Sequence, residues 1–102
     1  MYLIYVALFF AGAFLCNSVP HLCAGLMGQP FPSPFATPRG VGNSSPIVNF
    51  LWGAANLAAG IALLVRNRLP LGLNLRCLAF AVGALVIGLF AAHHFGKVRA
   101  AK

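Results

Sequence analysis

The chain has no aspartate and no glutamate among its 102 residues. No internal side-chain salt bridge is therefore possible, and several mechanisms fall away with the carboxylates. Paired-carboxylate glycoside hydrolysis is excluded. So are a Ser-His-Asp triad within one chain, carboxylate-bridged metal centres and Asp or Glu proton relays. The histidines, His21, His93 and His94, are the remaining candidates for a general base near neutral pH. Cysteine is also sparse. Cys16, Cys23 and Cys77 form no C-x-x-C pair and each lies in apolar sequence, which reads as packing residues inside helices. No catalytic residue, no metal and no cofactor is expected, and the chain reads as a non-enzyme.

Apolar residues, in contrast, make up 61% of the chain against 7% charged, and the mean hydropathy is +0.90. A soluble domain of this size needs more polar surface. A bilayer removes that need, because lipid-facing surfaces are apolar too. All seven formal charges are positive: Arg39, Arg66, Arg68, Arg76, Lys97, Arg99 and Lys102. They flank apolar segments, so membrane lipids with anionic headgroups are the expected partners and nucleic acid is not.

Three apolar segments are long enough to cross a bilayer as helices (~20 residues). The first covers about 2–24. It lacks the basic start of a signal peptide and no small-x-small cleavage site clearly follows, so it reads as a retained span, kinked at Pro20. The second covers about 46–65, with Ser45 placed to cap and Pro46 at the first helical position. The third covers about 76–95, followed by a basic tail, 96–102. The connection from Arg66 to Arg76 contains Pro70 and Gly72 and reads as an interfacial turn. Residues 29–46 hold five prolines and two glycines, which predicts an irregular, extended loop over 29–45, and the apolar Phe31 and Phe35 place it on the membrane surface or on the helix ends. The expectation is one all-α polytopic membrane domain, residues 1–102, of three transmembrane helices with a Pro/Gly-rich loop between the first two. Basic residues nearly balance across the second span, four on the side of the loop and tail against three on the other, with the loop and tail placed in the cytoplasm.

The runs Asn17-x-x-Pro20-His21, Pro30-Phe31-x-x-Pro34-Phe35-x-x-Pro38-x-Gly40-x-Gly42-x-Ser44-Ser45 and Asn49-x-x-Trp52-Gly53-x-x-Asn56 resemble a family of small bacterial integral membrane proteins with no assigned activity. The resemblance covers about residues 17–56. It implies a multi-pass protein of the bacterial inner (plasma) membrane and assigns no residue a role.

Within the spans, polar residues stand out. Asn49, Gly53, Asn56 and Gly60 recur at spacings of four, three and four, hence on one helix face beside Trp52. Asn17, Ser18 and His21 share a face of the first helix. Polar amides in a span face protein, since hydrocarbon offers no hydrogen-bond partner, and glycines on the same stripe allow close approach. Asn17, Ser18, His21, Asn49, Trp52 and Asn56 thus form the candidate ligand-binding or polar packing cluster, with Gly53 and Gly60 as helix-packing positions. Topology brings Asn17, His21, Asn49 and Trp52, with Arg39, His93 and His94, toward the end of the molecule covered by the 29–45 loop. His93 and His94 read as anchors where the third span ends.

The leading functional expectation is an accessory or assembly subunit packing against itself or other membrane proteins. It rests on small size, on the Gly53/Gly60 and Ala84/Gly88 seams, and on charges without an acidic partner. The alternative is an oligomeric transporter or channel for an anionic or neutral solute. Haem or quinone binding through His21 with His93 or His94 comes third.

Overall fold

In the computed structural model, residues 2–102 are described, and three helices account for most of them. These are α1 (Tyr2–Leu26), α2 (Pro46–Arg66) and α3 (Leu75–Ala101); a two-stranded antiparallel ribbon, β1 (Phe31–Pro32) and β2 (Asn43–Ser44), lies between α1 and α2. All three helices are long and apolar enough to span a membrane.

Local chemistry sets each boundary. α1 continues unbroken through Pro20 and stops at Gly28, whose φ of 67° is the left-handed turn that glycine adopts freely. The Gly28 amide donates to the Gly25 carbonyl and the Gln29 amide to the Ala24 carbonyl, so the last orphan carbonyls are satisfied by a Schellman closure. α2 begins where the Ser45 hydroxyl accepts from the Val48 amide at 3.2 Å, with Pro46 at its first position. α3 is capped by Asn74, whose Oδ1 accepts from the Cys77 amide at 2.9 Å.

Two of these features differ from the sequence expectation. The basic tail at 96–102 is not a separate segment: α3 runs through it to Ala101, carrying Lys97 and Arg99 into the last turns, where the partial negative charge of a helix C-terminus favours cations. His93 and His94 accordingly lie within α3, not at its end. The 29–45 loop is also more ordered than an irregular segment. Phe31 pairs with Ser44 and Pro32 with Asn43, and the Ser33 and Ser44 hydroxyls meet at 2.6 Å across the ribbon.

α1 is the helix that the other two share. α1 packs extensively against both α2 and α3, whereas α2 and α3 hardly touch. α1 and α2 are antiparallel: Leu15 lies against Gly60, Leu22 against Gly53 and Phe50 against Gly25. α1 and α3 are parallel, with Phe9 against Gly83, Gly12 against Phe80 and Cys16 against Gly88. Glycine is required at the α1–α3 crossing. A Cβ on Gly12 would collide with the Phe80 carbonyl, and one on Gly83 with the Phe9 carbonyl, so here the backbones themselves are in contact. The best-buried apolar residues, Leu8 and Ala11 at 0% exposure, both belong to this shared helix.

Candidate functional site

α2 turns one narrow face toward α1, and its buried residues are Asn49, Gly53, Asn56 and Gly60. A Cβ on Gly53 would stand 2.8 Å from Leu22, and one on Gly60 2.7 Å from Leu15. The two glycines therefore let the helices approach until the amides between them reach across. The Asn17 amide donates to Asn56 Oδ1 at 3.1 Å, and Asn56 Nδ2 donates to the Trp52 carbonyl one turn back at 2.8 Å. One step nearer the loop, His21 Nδ1 lies 2.8 Å from Asn49 Oδ1. Ser18 shares the buried face but bonds within its own helix, donating to the Leu15 carbonyl at 2.6 Å.

Asn49 ties this seam to the loop. Its Nδ2 group faces three carbonyls: Phe31 at 2.9 Å, Ser44 at 3.2 Å and Ser45 at 3.2 Å. Three acceptors around one atom fix it as the nitrogen of the amide, so the atom facing His21 is the oxygen. His21 Nδ1 must then carry the proton and donate. The imidazole is 2% exposed. Edge-to-face contacts surround it with Phe31, Trp52 and Phe95, at centroid distances of 5.5, 6.5 and 6.3 Å. Phe31, from the ribbon, also packs on Phe95 at 4.7 Å. α3 holds the other side of the loop. His94 Nε2 lies 2.7 Å from the Gly40 carbonyl, and Lys102 Nζ donates to Asn43 Oδ1 at 2.9 Å.

The structure thus joins His21 to Asn49 and Asn17 to Asn56, and sets Trp52 beside His21. It does not join His93 or Arg39 to them: both are exposed. His21 is committed to Asn49, and His94 to the loop backbone. The two imidazoles expected as a haem or quinone pair are therefore engaged separately, His21 with α2 and His94 with the loop. Among the described residues, no three His or Cys side chains gather at metal-binding spacing.

One polar atom in the cluster is unmatched. Trp52 Nε1 is buried without a hydrogen-bond partner among the described residues, and the Phe35 ring stands edge-on to the indole at 5.2 Å. An unmet buried donor costs about 1–3 kcal/mol.

The small-residue seams expected to receive an outside partner are already occupied. Gly53 and Gly60 face α1, and Gly88 lies against Cys16 of α1. Spacing had identified the face but not the helix that covers it. Sequence reasoning missed Gly12, Gly83 and Phe95. The two glycines sit inside unbroken apolar runs, where their one signal is a residue unfavourable to helices placed mid-span. Phe95 has no signal in the sequence; the parallel packing of α3 on α1 brings it to His21.

No protein-family model, no curated protein and no solved structure matches the chain. Its functional reading rests on its own geometry.

Proposed function

We propose that this protein is a multi-pass inner-membrane protein without catalytic activity, which serves as an accessory or assembly subunit by packing α3 against a helix of another membrane protein. The molecule is 43 Å long, which matches a bilayer with its headgroup regions (~40–45 Å). The observation that carries the reading is a contrast between faces. The polar side chains on α1 and α2 bind one another and the loop, so they are spent on cohesion within the chain. α3 buries only Gly83 and Val98. Its outer face carries Leu85, Leu89, Ala92, His93 and Gly96, all exposed. Nothing lies within 4 Å of the place a Cβ on Gly96 would take. Ala92 and Gly96 are one turn apart, a step that admits a second backbone, and His93 beside them offers a hydrogen bond to it.

The test is capture of the tagged full chain from its native membrane in detergent-free polymer particles. A membrane protein should co-purify at fixed stoichiometry and be lost with Gly96→Leu, while that variant expresses and melts as the wild type does. Solute flux through the purified chain alone in proteoliposomes, undiminished by Gly96→Leu, would replace this reading with the transporter one.

A further inference from the structure

At the loop end of the molecule, the last turn of α1, the ribbon and the last turns of α3 enclose a cavity of about 340 Å³. Its lining is mostly apolar, with Pro20, Ala24, Phe31, Phe95 and Val98, and it also includes the polar Gln29 and Asn43 and the cations Arg99 and Lys102. A mostly apolar recess with two cations in its lining suits an amphiphile with an anionic head. Two facts narrow the choice. The chain has no carboxylate side chain to pair with either cation, and Lys102 donates one N–H to a neutral acceptor, Asn43. The cavity also opens where α1 and α3 both end, the level of lipid headgroups when the helices span a bilayer. Its volume lies at the small end of ligand pockets (~300–1,000 Å³). That is room for the glycerol region of a lipid, with the acyl tails left to continue along the apolar helices.

We infer that this cavity binds one anionic phospholipid, its phosphate at Arg99 and Lys102 and its glycerol backbone against Phe31, Phe95 and Val98. The site rests on the membrane reading of the chain but not on the proposed partner of α3. Nearby basic residues on the same end, Arg39 and Lys97, lie outside the cavity lining and supply only diffuse attraction.

Native mass spectrometry of the full chain, released from mixed micelles of phosphatidylglycerol and phosphatidylcholine, tests this directly. One phosphatidylglycerol should stay bound, preferred over phosphatidylcholine by about tenfold. Arg99→Gln with Lys102→Gln should abolish that preference. Arg39→Gln with Lys97→Gln removes the same charge and should change it by less than about twofold. Cys23→Phe keeps every charge and fills the lining at an exposed position; it should weaken retention as much as the double charge variant. Equal losses from the two charge pairs would show a diffuse electrostatic effect and overturn the site. Displacement of the lipid by millimolar inorganic phosphate would reduce it to a bare anion site. Unchanged retention in Cys23→Phe would remove the cavity from the argument.

Discussion

His21 and Asn49 are 28 positions apart in the chain and on different helices, yet their side chains meet at 2.8 Å with both residues almost wholly buried. The contact does more than join two helices. The same asparagine binds the loop through the carbonyls of Phe31, Ser44 and Ser45, so α1, α2 and the ribbon share one side chain.

Asn49 should therefore matter more than His21. Asn49→Leu leaves loop carbonyls and the His21 N–H unmet together, a loss of about 2–3 kcal/mol. The direct coupling between His21 and Asn49, read from a double-mutant cycle, should be smaller, about 0.6 kcal/mol and at most ~1.7. Ala36 is 8% exposed in the closed loop, so Ala36→Cys reports on it. Thiol modification at that position should accelerate in the Asn49→Leu background and stay slow in His21→Leu. Equal acceleration in both would place the loop anchor on the histidine.

Gly83→Ala should destabilise the chain by about 1–3 kcal/mol, because the added methyl meets the Phe9 carbonyl, a backbone atom with nowhere to retreat. Gly96→Ala meets nothing and should be neutral, or stabilising by up to about 1 kcal/mol through better helix propensity. Thermal or steric-trap unfolding of the two variants in bicelles makes the comparison. A tolerated Gly83→Ala would mean that α1 and α3 are not in backbone contact.

Trp52→Phe keeps an aromatic ring against Phe35 and removes a donor that finds no acceptor among the described residues. Stability should hold or rise by about 1 kcal/mol. A loss above about 2 kcal/mol in the purified protein would show that the indole N–H has a partner from outside the chain.

The topology predicts sidedness. In a background without Cys16, Cys23 and Cys77, Arg39→Cys and Arg99→Cys should react with an impermeant maleimide from one side of sealed vesicles. Arg68→Cys should react from the other. Positions 39 and 68 labelled from the same side would rule out three crossings.

Three helices long and apolar enough to cross a bilayer are legible because their cause is local: such an apolar run announces itself residue by residue. The buried face of α2 is legible for a similar reason, since Asn49, Gly53, Asn56 and Gly60 repeat with the helical period. What covers a face is not local. The same stripe fits α1 or a foreign helix equally well, and only the three-dimensional arrangement gives it to α1. The end of α3 is misplaced by reading Lys97 and Arg99 as a solvated tail, although basic residues are compatible with a final helical turn. The ribbon depends on Asn49 and the Ser33–Ser44 pair reaching across the loop, which no window of neighbouring residues reveals.

The central place of α1 has a consequence for biogenesis. α1 leaves the ribosome before either helix that packs on it, so each later helix meets its docking surface already synthesised. α2 can lock to α1 through its two amide contacts while α3 is still being made, because α2 and α3 share almost no interface. Assembly then runs in the order of translation. A nascent chain arrested once α2 has emerged should already hold the His21–Asn49 contact, with α3 joining last along the glycine crossing and closing the other side of the loop.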